Sequence, residues 1–225
     1  MDEGAGETFK DSSGNGNNGS IKGAGIKWVK GKFGNALEFP GISAQYAMIE
    51  DSSSLDLETF TLMAWVNSKK VTGSWQIVAS KETRNPTAMK DGIFLNITTG
   101  VVHYSFTNAN NWKSFDAKTP VTDGQWHHVA ATYDKKTFIL YLDGVIDAQT
   151  AVSDKPDTHD NAIYIGGCPL DGSYAMTGIV DEIAVFKRAL TADEIKGVMS
   201  GLQSSVLAIM PMGKIATTWA DIKLR

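Results

Sequence analysis

The amino-acid sequence predicts an all-β domain, a two-sheet antiparallel jelly-roll sandwich with a short helix near its C-terminus. Three observations predict it. Short apolar or alternating runs recur at intervals of about ten residues, each bounded by Gly, Asn or Asp. Glycine is abundant (22) and proline scarce (6), the balance of many tight turns rather than of a proline-rich linker. Residues 138–142, Phe-Ile-Leu-Tyr-Leu, show no polar alternation, so both faces of that strand are covered, as in a sheet packed under a second layer.

Taken in order, residues 2–25 are rich in Gly, Asn, Ser and Asp, densest over 11–19. Two readings apply. A polar, low-complexity stretch near a terminus is ordinarily a flexible tail, and composition favours that reading. The other is an ordered loop whose oxygens gather round a hard cation. Residues 28–39 follow, alternating polar and apolar from Ala36 onward. After Gly41 comes a strand over 45–49, and residues 59–67 form a strong strand with apolar residues on both faces. Further strands are expected over 75–80, 92–98, 101–107, 114–117, 162–166 and 178–186.

Residues 126–149 carry the clearest local signal. The runs 126–133, 138–142 and 145–146 are separated by Asp134-Lys135-Lys136 and by Asp143-Gly144. Asp-Gly between two apolar runs favours a two-residue hairpin turn, because Gly tolerates the positive φ such turns need. The three runs therefore read as an antiparallel meander. The helix is expected over 190–199, where Thr191 is a good N-cap, Glu194 completes a capping box, and Leu190, Ile195, Val198 and Met199 line one side. Beyond Gly201 the pattern suggests a strand over 206–210 and a short helix over 216–223. No internal repeat or composition break marks a second core, so one domain is expected over 1–201, with 202–225 as a C-terminal extension.

The totals exclude several classes. With 21 basic and 25 acidic residues the net charge is −4, and no basic run points to nucleic acid or an anionic membrane. No apolar stretch is long enough for a transmembrane helix. The single cysteine, Cys168, rules out an intrachain disulfide and reads as a small apolar filler. Met1-Asp2-Glu3-Gly4 has neither the basic nor the apolar part of a signal peptide.

The segments Trp126-His127-His128-Val129-Ala130-Ala131-Thr132-Tyr133-Asp134, Leu140-Tyr141-Leu142-Asp143-Gly144 and Ile165-Gly166-Gly167 together form a pattern. The closing run from Gly178 to Thr191, with Val180-Asp181-Glu182-Ile183 at its centre, is its most specific part. In that order they resemble the concanavalin A-like, laminin-G-like jelly-roll superfamily, over roughly residues 2–200. The resemblance implies one convex and one concave antiparallel sheet. It also implies a secreted, periplasmic or cell-surface module, any signal peptide having been removed, that binds a glycan or a cell-surface protein. Glucanases share the fold, so the fold does not decide function.

The resemblance further implies a structural Ca²⁺, held by the Asp181 carboxylate, the Gly41 carbonyl and oxygens from Asp2 or the Asn17-Asn18 loop. Calcium takes about six to eight oxygens. The alternative for Asp181 is a carboxylate that accepts backbone N–H bonds with no metal. A sugar-binding face is the second candidate, because sugars pack C–H patches on aromatic rings and pair hydroxyls with amides and carboxylates. Trp75, His103, Tyr104, Asn108, Asn110, Asn111, Trp112 and Tyr174 supply such groups. Each Trp could equally fill the core, and each Asn could make a turn.

Catalysis is the third candidate. Glucanases of this fold carry their acids as Glu-x-Asp-x-x-Glu on one strand, so that they share a face. That spacing is absent: Glu50-Asp51 and Asp56-Leu57-Glu58 sit beside turns, and Asp181-Glu182 are adjacent. His127 and His128 are strand neighbours and point to opposite sides, so they do not chelate together. The expectation is a non-catalytic carbohydrate- or ligand-binding module. A protein-interaction or adhesion domain is the alternative, and a glycoside hydrolase of the same fold the more distant one.

Overall fold

The computed structural model describes residues 2–69, 75–81, 93–109, 111–157, 160–169 and 174–202. The strand expected over 206–210, the helix expected over 216–223 and the candidate Asn110 lie outside them. In chain order the first strands are β1 (Thr8–Phe9), β2 (Gly19–Lys22), β3 (Lys27–Lys30), β4 (Asn35–Pro40), β5 (Tyr46–Ile49) and β6 (Phe60–Asn67). Then come β7 (Gln76–Lys81), β8 (Ile93–Thr98), β9 (Val101–Asn108) and β10 (Asn111–Pro120). The meander is β11 (Trp126–Tyr133), β12 (Thr137–Leu142) and β13 (Val145–Ala151), followed by β14 (Ile163–Ile165), β15 (Thr177–Phe186) and the helix α1 (Ala192–Val198).

The strands form two antiparallel sheets. One has eight strands in the order β1-β2-β5-β14-β7-β8-β9-β10; the other has seven, β13-β12-β11-β6-β15-β4-β3. The crossovers, with β14 between β5 and β7 and β15 between β6 and β4, make the jelly roll that the strand pattern predicts. The Asp143-Gly144 turn has φ of 50° and 76°, both left-handed, so the β12–β13 hairpin closes as its sequence implies.

The core lies between the sheets. From the eight-stranded sheet one cross-strand row, Ile21, Ala47, Ile165, Ala79, Leu95 and Tyr104, faces inward. Leu62, Ala64, Val66, Val129, Ala131, Phe138 and Leu140 meet it from the other sheet. Phe60, Tyr104, Phe106, Tyr133 and Phe138 pack into an aromatic cluster at the centre. The missing polar alternation of β6 and β12 has a physical cause on the other side of the seven-stranded sheet. There α1 lays Ile195 and Val198 over Met63, Ala130 and Tyr141, so these strands are apolar on both faces. Thr191 and Glu194 form the expected capping box.

The N-terminal stretch is ordered, which overturns the tail reading. β1 pairs with β2, and Asp11 closes the loop between them by accepting from Ser13 N (2.8 Å) and Asn17 N (2.9 Å). Asn18 Oδ1 accepts in turn from Asp11 N at 3.0 Å. Composition undervalued such Asx turns, which give a polar loop its own hydrogen bonds. Gly19 is required in β2, because a Cβ there would sit 2.0 Å from the Phe9 ring.

Candidate functional site

The outer face of the eight-stranded sheet departs from the rest of the fold. On β7–β9 most of its positions hold polar side chains, interspersed with Ile77 and Phe94, yet they are buried. Asn96 is 2% and His103 6% exposed, and Ser80, Ser105 and Thr107 are also buried. The next strand, β10, is the edge of the sheet, and its outward side chains Trp112, Ser114 and Asp116 reach solvent. Pairing register sets the rows: Asn96 opposite His103 opposite Asp116, Phe94 opposite Ser105 opposite Ser114, and Thr107 opposite Trp112.

An aromatic ring marks each end of this exposed stripe. Trp75, 37% exposed, stands nearly perpendicular to the His103 ring at 4.3 Å between centroids. Trp112, 42% exposed, leans on Phe94 at 5.4 Å. His103 Nδ1 lies 2.7 Å from Asp116 Oδ1. A carboxylate only accepts, so Nδ1 carries the proton and donates it, which leaves Nε2 of the neutral ring as an acceptor. Burial holds the His103 pKa below the ordinary histidine range, and it outweighs the opposing pull of Asp116. The ring is therefore neutral at pH 7. Beside it the buried Asn96 Oδ1 has no hydrogen-bond partner among the described residues.

Of the residues expected to contact a ligand, the stripe brings together Trp75, His103 and Trp112. Tyr104 is corrected: it is fully buried on the inner face, 5.7 Å from Phe60 and 4.3 Å from Phe138. Strand alternation sends it away from its neighbour His103. Asn108 Nδ2 donates to Lys155 O (2.8 Å) and Asn111 Nδ2 to Ala109 O (3.1 Å), so both amides hold the β9–β10 turn and its neighbour. Tyr174, half-buried, lies in the β14–β15 connection. The sequence reading missed Asn96, Ser114 and Asp116. The signal was there in Trp112-x-Ser114-x-Asp116, whose period of two puts all three on one face.

The expected calcium ligands lie at three places along β15. Gly41 follows Pro40, which pairs with Thr177 at the start of that strand. Asp181 sits mid-strand, where its Oδ2 accepts from Phe33 N (3.0 Å) and its Oδ1 from Glu182 N (2.8 Å). Asp2 joins it there, accepting from Asn35 N at 3.1 Å. Asn17 lies by the far end, since it bonds Ser52 and Ser54 while Lys187 Nζ reaches Ser53 O. Asn18 belongs to the same loop. The five residues thus do not form one ligand set, and among the described residues no group of three or more His, Cys, Asp or Glu side chains is arranged to hold a metal. Asp2 and Asp181 do come together. Burial, with the Asp2 charge adding to it, holds the Asp181 pKa above the usual carboxylate range. Burial does the same for Glu182, in the β-bulge that follows.

The two histidines of β11 part as expected. His127 bridges Asp143 (2.9 Å) and Asp123 (3.2 Å) at the rim. His128 is buried on the outside of the seven-stranded sheet, 5.3 Å from Trp65. Cys168 is buried.

The sequence profile of the concanavalin A-like lectin/glucanases superfamily, in its laminin-G form, matches residues 41–196. The chain belongs to that superfamily. Solved structures agree on the fold. The binding domain of Paraclostridial Mosquitocidal Protein 1 superposes with a TM-score of 0.70 at 15% identity, over 83% of this chain and 48% of that one. The botulinum neurotoxin serotype G binding domain gives 0.70 at 15% identity, over 88% and 51%. This chain thus spans about half the length of those toxin domains. Domain 4 of AbnA, an extracellular GH43 arabinanase from Geobacillus stearothermophilus solved in complex with arabinotriose, gives 0.62 at 18% identity, over 84% and 95%. A comparison with curated protein sequences found no match.

Proposed function

We propose that this superfamily member is a non-catalytic carbohydrate-binding module that works outside the cytoplasm, and that the stripe along β10 is its site. The observation that carries the reading is a pair of exposed tryptophans, Trp112 on β10 and Trp75 against His103 of β9, on either side of the exposed Ser114 and Asp116. An exposed indole costs solvation in an unliganded protein and offers the flat apolar surface that a sugar ring covers. The arabinotriose complex of AbnA domain 4 supports the reading by likeness of fold, over nearly the whole of that domain. The outward rows of the described residues supply one carboxylate, Asp116, whereas glycoside hydrolysis uses two. A glycan array on the wild type, followed by Trp75→Ala and Trp112→Ala, tests it. Each variant is expected to weaken binding roughly tenfold, about 1.4 kcal/mol. Turnover of any polysaccharide would sink the non-catalytic reading, and capture of a protein with no glycan binding would favour an adhesion domain.

Calcium is a second proposal, now confined to Asp2 and Asp181. A divalent cation would relieve the mutual repulsion of these carboxylates and tie the N-terminus to β15. A ligand bound by the native state alone raises the melting temperature, so Tm in calcium should exceed Tm in EDTA. Equal values would remove the site.

A further inference from the structure

We propose that the β10 stripe takes an extended, uncharged oligosaccharide, with one ring on Trp75 and another on Trp112, and that it selects against acidic glycans. This rests on the carbohydrate-binding reading and adds the length and charge class of the ligand.

Length follows from the register. Trp75 packs on His103, whose cross-strand partner is Asp116, and Trp112 lies four residues earlier on β10. Four strand residues span about 13 Å. A single sugar ring stacked on one indole leaves the other empty, whereas a chain running from Trp112 along β10 and over towards His103 of β9 reaches both. The polar groups between them suit such a chain. Ser114 is exposed, and the Asp116 side chain is 57% exposed with Oδ1 held by His103. The tie to His103 orients the carboxylate and leaves Oδ2 to accept from a ligand hydroxyl. His103 is thus a positioning residue.

Charge follows from what stands along the stripe. Asp116 is negative and the His103 ring is neutral. Lys113 points to the other side of β10 and pairs with Asp154 at 3.1 Å. Lys118 lies within the β10 irregularity, beside Asp147, whose carboxylate its charge helps to stabilise. Among the described residues, then, the stretch of β10 from Trp112 to Asp116 presents no outward cation to a uronate or sulfate, and an acidic sugar would meet Asp116 directly. The groups that the His103–Asp116 bond leaves over are acceptors, Asp116 Oδ2 and His103 Nε2, and beside them lies the buried Asn96 Oδ1, unpartnered among the described residues. A neutral sugar presents hydroxyl donors to such a set.

The test is isothermal titration of the intact chain against arabino-, xylo- and manno-oligosaccharides from monosaccharide to hexasaccharide, and against oligogalacturonates at low and physiological salt. At least one neutral series should climb roughly tenfold or more in affinity between the monosaccharide and the longer chains. Trp112→Ala should flatten that climb while circular dichroism stays unchanged. Ser114→Lys, at an exposed position, should raise affinity for oligogalacturonates several-fold in a salt-sensitive way. Three results would overturn the inference: a monosaccharide bound as tightly as the hexasaccharide, oligogalacturonates preferred by the wild type, or an undiminished climb in Trp112→Ala. Silence in every arm from folded protein would instead take down the carbohydrate reading itself, and this inference with it.

Discussion

Tyr104 carries a hydroxyl into an aromatic cluster where, among the described residues, no donor or acceptor meets it. A buried polar atom without a partner costs about 1–3 kcal/mol, so Tyr104→Phe is expected to stabilise the fold by about 1 kcal/mol, read as a higher urea midpoint at unchanged slope. A lower midpoint would mean that the hydroxyl has a partner in solution. The β11 histidines pull stability in opposite directions with pH. Burial takes His128 down to about 4, so the unfolded chain takes up its proton first as pH falls below the ordinary histidine value. Stability should therefore drop between about pH 6.5 and 4, by on the order of 3 kcal/mol for this group. For His127, burial works against the proton but Asp143 and Asp123 outweigh it, and its pKa is raised. Its contribution is full below the ordinary histidine value and fades as pH rises through the folded one. Unfolding curves from pH 4 to 8 should show His128→Phe losing the acid-side slope and His127→Gln the alkaline-side one. An unchanged acid limb in His128→Phe would contradict this.

At the scale of elements, β10 and β13 are edges of different sheets that meet along one flank. Asp147 of β13 joins them by accepting from the backbone N–H groups of Lys118 and Thr119 and from Thr119 Oγ1 at 2.6 Å. Between the interior strands of the two sheets, Gln76 Oε1 accepts from Thr177 N at 3.0 Å and links β7 to β15. Because the Asp147 carboxylate serves three donors near the surface, Asp147→Ala should cost about 1–3 kcal/mol. Hydrogen exchange should rise first at Lys118 and Thr119. Faster exchange spread evenly over the molecule would mean that this tie is not local. The same tie steadies the end of the strand that carries Asp116, so ligand affinity is expected to fall with it.

Across the whole molecule, the parts legible in the sequence were those set by local rules. Thr191 and Glu194 announce the helix, Asp143-Gly144 announces a hairpin, and the unbroken apolar runs of β6 and β12 announce strands covered on both sides. What lies between sheets or between distant strands was not legible. Tyr104 and His103 are neighbours with one chemistry profile, and only the register separates a core residue from a site residue. The calcium set failed as a set for a related reason: family likeness supplied residue types, while their spread along β15 depends on which strands that element lies between. Asn96 and Asp116 gained meaning only when pairing put them on either side of His103. The polar loop over 11–19 was misjudged because its order comes from side chains bonding its own backbone, which composition does not record.

The place of the stripe on an edge strand has a consequence for solubility. An edge offers unpaired backbone groups to any passing strand, and natural sheets blunt such edges with charge and proline. Along β10 the side chains of Lys113, Asp116 and Lys118, with Pro120 at its end, stand where a second copy would add itself. Under the proposed function Asp116 would serve two ends, receiving a ligand on one face and keeping sister molecules apart at the margin. A variant that trades it for an apolar residue would be expected to lose its ligand and gain a tendency to self-associate.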